Sequence, residues 1–196
     1  MKTKLAVFAS GNGTNFQAIH EAIVRGEINA SIELVVCDQP DAAVIERARR
    51  ADVDVLVAAR RDYPSKKAFE QAIVRACQSR DVAYIFLAGY MRILGKTVLE
   101  AYPHRIINIH PSLLPSFTGL DAIGQAFRKG VKITGVTIHY VDEGMDTGPI
   151  IAQAAVPVEA SDTLETLEAR IHETEHVLYP KTVATFVQQA ENTPTV

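Results

Sequence analysis

The sequence predicts an α/β protein: a mostly parallel, Rossmann-like twisted sheet with helices on both faces, a late antiparallel hairpin and a long C-terminal helix. Three observations predict it. Short apolar runs alternate with helical patterns through the first half of the chain. Runs such as Leu34-Val35-Val36 are continuously apolar, as strands are when helices cover both faces of their sheet. In the second half, two alternating stretches flank a Gly/Asp-rich loop, which is a hairpin pattern.

Taken in order, Leu5–Ala9 reads as the first strand, and small residues then lead into a helical pattern over about 15–25. Strands at Ile32–Cys37, Val53–Ala58, Val82–Ala88 and Arg105–Ile109 are separated by helical stretches at about 41–51, 65–80 and 95–102. That alternation calls for right-handed crossovers. Leu120–Lys129 is helical, and Lys132–Val141 with Pro149–Val158 forms the hairpin. Ser161 or Asp162 is expected to cap the last helix, with Glu165 near its third position. The polar tail after Gln189 is expected to fray. With no repeat or linker, residues 1–196 are expected to form a single domain.

Composition removes several functional classes. A chain of 196 residues with mean hydropathy +0.06 is ordinary for a soluble globular protein. At this size roughly 70% of the unfolded surface can be buried, enough for one substantial core. The net charge of -3 comes without any basic run, so a nucleic-acid partner is not expected. The two cysteines, Cys37 and Cys77, form no CxxC and fit buried thiols in a reducing cytosol. The apolar stretch near the N-terminus ends at Ala9, too short for a signal peptide, and no window approaches the ~18 apolar residues of a membrane span. The expected location is cytoplasmic, with no membrane partner.

The first strand runs into Ser10-Gly11-Asn12-Gly13-Thr14-Asn15-Phe16-Gln17. Small residues let the backbone approach a ligand, and the next helix offers free N–H groups and its positive dipole end. Phosphate is the natural guest. The dinucleotide fingerprint wants a glycine where Phe16 stands, and a Walker lysine is missing. Asp38 could imitate a ribose-binding acid or simply form a turn before Pro40. A plain tight turn is the competing reading of the whole loop.

The sharpest signal is Ile106-Ile107-Asn108-Ile109-His110-Pro111-Ser112-Leu113-Leu114-Pro115. Residues two apart in a strand share a face, so Asn108 and His110 project together. Pro111 ends the strand, leaving His110 at its carboxyl end, where open α/β sheets bind ligands. An Asn amide can donate to a developing oxyanion, and a neighbouring His can move a proton. The bland alternative is a structural His with an Asn capping the strand end. A third member is expected from Asp142-Glu143-Gly144-Met145-Asp146-Thr147-Gly148, whose carboxylates could set the His110 tautomer. Strand periodicity does not choose among Asp142, Glu143 and Asp146.

Together the glycine loop, the Asn108–Pro115 motif and the Asp142–Gly148 loop, in this order and spacing, resemble the phosphoribosylglycinamide formyltransferases, folate-dependent enzymes of purine synthesis. The resemblance covers nearly the whole chain. It implies that Asn108, His110 and Asp146 are catalytic. Gly13, Thr14 and Asn15 would hold the phosphate of glycinamide ribonucleotide. Met91, Arg92, Ile93 and Leu94 would line the folate pocket together with Asn108, and Lys66 would lie near the folate tail. It further implies a phosphate-binding lobe over about 1–104, a catalytic and folate lobe over about 105–196, and 10-formyltetrahydrofolate as co-substrate without a metal. The partners implied are small molecules, with room for a homodimer. One departure is Thr118, where the family often has Pro before the equivalent of Gly119; it touches loop stiffness only.

The last helix carries His172-Glu173-Thr174-Glu175-His176, which matches the H-E-x-x-H zinc-peptidase motif. At about 100° per residue, Leu164, Leu167, Ile171 and Leu178 form one stripe, with the two histidines to one side and Glu173 pointing away. No convincing third ligand is in reach of such a site. Glu175 falls within the apolar stripe, where an unpaired carboxylate is costly. It is either an edge residue reaching water or a carboxylate aimed into a site. The resemblance implies contact with the substrate ribose.

Overall fold

The computed structural model describes residues 2–192. Seven strands form one sheet: β1 (Thr3–Ala9), β2 (Ala30–Cys37), β3 (Val55–Val57), β4 (Tyr84–Leu87), β5 (Ile106–His110), β6 (Ile133–Tyr140) and β7 (Ile150–Pro157). Their order across the sheet is β3-β2-β1-β4-β5-β6-β7. The pairings from β3 through β5 are parallel, and β6 pairs antiparallel with both β5 and β7. The expected hairpin is therefore continuous with the main sheet. Helices α1 (Thr14–Val24), α2 (Ala43–Arg50), α3 (Lys66–Gln78), α4 (Lys96–Ala101), α5 (Ala122–Lys129) and α6 (Leu164–Asn192) complete the fold. Among the described residues no helix is long and apolar enough to cross a membrane.

Strand alternation separates two cores. Leu5, Val7, Ala9, Ile107 and Ile109 join the cluster that includes residues of α1, α2 and α6. Ala6, Phe8 and Ile106 face the cluster that includes residues of α3 and α4. Asn108 and His110 thus share the strand face of Ile106, as their spacing predicts. Cys37 and Cys77 are free and buried, and burial pushes the Cys77 thiol up to about 12.

Several boundaries differ from expectation. The third strand is only Val55–Val57, because the chain caps α2 first: Asp52 takes a left-handed φ of 55° and the Val53 N–H returns to the Ala48 carbonyl. Neither Ser161 nor Asp162 caps the last helix. Thr163 does so, its Oγ1 accepting the Thr166 N–H at 3.3 Å. Asp162 is instead clamped by Arg170 at 2.7 and 2.8 Å, which holds its carboxyl well below the usual carboxylate range. The buried face of α6 continues through Glu175 and Tyr179 rather than Leu178, which is only partly buried. The Tyr179 hydroxyl donates to the Leu87 and Ile107 carbonyls at 2.7 and 3.1 Å, fastening α6 to adjacent strands. Residues 190–192 continue this helix, and the rest of the expected frayed tail lies outside the described residues.

Candidate active site

The glycine turn follows directly from β1. Gly13 has φ +73°, and a Cβ there would lie 2.5 Å from Val44 Cγ2, so glycine is required both by conformation and by space. The start of α2 braces the turn: the Val44 N–H reaches Gly11 O at 3.0 Å, and Arg47 Nε donates to Asn12 O at 2.7 Å. No side chain caps α1, and its first internal bond is Gln17 N–H to Gly13 O. The N–H groups ahead of Gln17 are left for a ligand, at the positive end of the helix. Phe16 is fully buried, so a third glycine has no place here.

One cavity of about 550 Å³ joins this turn to the central motif. Gly13, Thr14, Asn15, Met91, Arg92, Ile93, Leu94, Asn108, His110, Asp146 and Glu175 all line it. Lys66 lies outside the lining; its ammonium is 3.7 Å from the buried Glu70. Along one side, Met91, Ile93, Leu120 and Met145 remain exposed, an apolar surface that a flat aromatic ring can cover.

His110 Nε2 donates to the Phe117 carbonyl at 2.8 Å, and Nδ1 lies 3.5 Å from Asp146 Oδ2. Asp146 accepts the Gly119 N–H at 2.8 Å. Its backbone has a left-handed φ of 56°, a conformation that Asp and Asn tolerate better than other side chains. Of the three acids, Asp146 is the one beside His110. Asp142 accepts from Gly144 N–H and Thr147 Oγ1 and so shapes the loop, and Glu143 does not line the cavity. Tyr140 at the end of β6 is level with Ile107, so the loop must fold back to bring Asp146 to His110.

His139 was not singled out by sequence. It stands opposite Asn108 in the antiparallel register, on the same face. Its Nδ1 donates to the Tyr140 carbonyl at 2.8 Å, and burial pushes its pKa down, so Nε2 is a bare acceptor. Asn108 Nδ2 donates to that Nε2 at 3.2 Å, which fixes which end of the amide is which. The alternating pattern of β6 could have flagged His139 once the pairing with β5 was known. The hydrogen bonds from backbone groups of Phe117 and Gly119 carry no sequence signal.

On α6, Glu175 is buried rather than reaching water. It accepts from Asn15 Nδ2 at 3.1 Å and His172 Nδ1 at 2.8 Å. The H-E-x-x-H match is therefore spent on this contact, and among the described residues no His/Cys/Asp/Glu group is arranged to hold a metal. The bond to Glu175 raises the His172 pKa. A raised folded-state value stabilises the fold fully below the unfolded pKa of about 6.5, and that stabilisation is lost as pH rises through the folded value. Urea unfolding should show the wild-type advantage over His172→Gln shrinking as pH rises from about 6.5. An advantage that grows instead would contradict the pairing.

Asp38 does not sit as a ribose-binding acid. Its Oδ2 accepts Arg92 Nε at 2.8 Å and its Oδ1 accepts the Ser10 hydroxyl at 2.5 Å. It tethers the segment that carries Met91 and Arg92 instead.

Asn108 and His110 on β5, with Asp146 from the loop after β6, stand in one cavity with an uncapped helix start, an arrangement that fits a group-transfer enzyme. The chain belongs to the formyl transferase family, whose model matches residues 3–183. It is 56% identical over 180 residues to the phosphoribosylglycinamide formyltransferase of Bacillus subtilis (strain 168), covering 92% of each chain. The crystal structure of glycinamide ribonucleotide transformylase 1 from Geobacillus kaustophilus superposes with a TM-score of 0.93 at 57% identity, covering 95% of this chain and 100% of that one. The phosphoribosylglycinamide formyltransferase of Bacillus halodurans gives a TM-score of 0.93 at 50% identity, covering 97% and 98%.

Proposed function

We propose that this chain transfers the formyl group of 10-formyltetrahydrofolate to the amine of glycinamide ribonucleotide, a step of purine synthesis. The observation that carries the reading is the convergence of Asn108, His110 and Asp146 on the cavity that also holds the glycine turn. The relatives at 50–57% identity bear names that match it.

In this reading the sugar phosphate sits on the N–H groups of Thr14 and Asn15 beside Gly13, and Glu175 accepts from the ribose hydroxyls. Met91, Ile93 and Leu94 cover the folate ring, and Lys66 takes no part near the reacting atoms. The substrate amine attacks the formyl carbon, and the carbonyl electron pair moves onto oxygen. Asn108 has one N–H committed to His139, so its second N–H donates to that oxyanion. His110 keeps Nε2 against Phe117, so Nδ1 is the nitrogen that carries the mobile proton. Asp146 holds the imidazolium and orients that proton. The attacking nitrogen gives up a proton and the folate nitrogen receives one; the oxyanion's electron pair then re-forms the carbonyl as the carbon–nitrogen bond to folate breaks, its pair leaving on the folate nitrogen.

The test is direct. Purified protein is mixed with glycinamide ribonucleotide and 10-formyltetrahydrofolate, and folate absorbance is followed. A change that requires the ribonucleotide is expected. Absence of such a change in folded protein would refute the proposal.

A further inference from the structure

Asp38 is 3% exposed, yet the transfer chemistry does not use it. We infer that Asp38 is a positioning residue: acting through Arg92 and Ser10, it fixes the 91–94 segment as a wall for the formyl donor. It sets affinity for that donor rather than the rate of transfer. This inference rests on the proposed function.

Residues 88–95 lie between β4 and α4 without strand or helix of their own. Met91 and Ile93 are 64% and 54% exposed, so their side chains offer the cavity a surface that core packing does not hold. Tyr90 and Leu94 anchor the segment in the core, and polar links hold Met91 and Arg92 between them. The Met91 N–H donates to Ser10 Oγ at 2.9 Å, and the Ser10 hydroxyl in turn donates a hydrogen bond to Asp38 Oδ1. Arg92 Nε reaches Asp38 Oδ2 at 2.8 Å, and its guanidinium lies over the Phe69 ring at 5.8 Å. Gln39 Nε2 donates to the same Oδ2 at 3.2 Å. One buried carboxylate therefore fixes both a backbone amide and a side chain of two consecutive wall residues. Ser10 also directly precedes the glycine turn, so the wall is referenced to the phosphate site. Removing one member of such a buried pair leaves the other without its counter-charge.

Two variants test this. Asp38→Asn keeps the shape but removes the charge that holds Arg92. Ser10→Ala removes the hydroxyl that links Met91 to Asp38. Each is expected to raise KM for 10-formyltetrahydrofolate about tenfold, with kcat and KM for glycinamide ribonucleotide changed less than about twofold. Arg92→Lys, which keeps a cation toward Asp38, is expected to raise the folate KM less than Arg92→Gln. An unchanged folate KM overturns the inference. So does a fall in kcat with both KM values rising together, which is what general loosening would give. If Asp38→Asn does not fold, Ser10→Ala decides by the same criteria. Wild-type protein inactive with both substrates would instead refute the functional reading, before any variant is compared.

Discussion

Asp146→Asn is expected to lower kcat by about 10²–10⁴-fold while leaving folate affinity nearly unchanged. The substitution is unusually clean at this position. Asparagine accepts the left-handed backbone as readily as aspartate, and its amide oxygen can still take the Gly119 N–H. What disappears is the negative charge 3.5 Å from His110 Nδ1. Without it His110 loses the carboxylate charge that faces its Nδ1. Steady-state kinetics with both substrates, together with fluorescence titration of a folate, separate the two effects. Near-normal turnover would remove Asp146 from the mechanism.

Asn108→Ala is expected to cost about 10²–10³-fold in kcat, the usual loss when one oxyanion donor is removed. The side chain lies within β5, so truncation leaves the ladder intact. It also frees His139 Nε2 from its donor. Circular dichroism should stay native while the unfolding midpoint falls modestly, because a buried acceptor loses its partner at a cost of about 1–3 kcal/mol, so the kinetic loss must be read on folded protein. Single-turnover measurement assigns the loss to the chemical step. A variant whose kcat holds while both KM values rise would show that Asn108 binds rather than stabilises.

Much of this was legible in the sequence, for identifiable reasons. Continuous apolar runs announced a sheet covered on both faces, and the two-residue spacing of Asn108 and His110 placed them on one face. Gly13 could be read from the small residues between a strand and a helix, although the close approach of Val44 that also demands it is not local. What escaped the sequence depends on pairing across distance. His139 matters only through its register opposite Asn108, and no local pattern distinguishes it from a packed strand histidine. Asp38 looked like a turn former or a nucleotide contact because Arg92, its true partner, is 54 residues away. Periodicity left three acids open in the late loop, the resemblance implied Asp146, and the fold of the loop back over the sheet is what brings Asp146 beside His110. The cap of α6 moved to Thr163 because Arg170 claims Asp162, a competition between neighbours that capping preferences do not weigh. The zinc-like motif could be set aside from sequence for want of a third ligand, but which partners Glu175 meets, Asn15 and His172, needed the fold.

The Phe117 carbonyl has a consequence for how this site can be dissected. It keeps one proton of the imidazole parked on the far nitrogen, and it is a main-chain atom. Swapping the phenylalanine for any other amino acid leaves that oxygen in the chain. A scan of single replacements would therefore pass over a contact that decides which tautomer the enzyme works with. Only altering the path of the surrounding loop, by shortening it or by replacing the peptide linkage with an ester, would expose its weight.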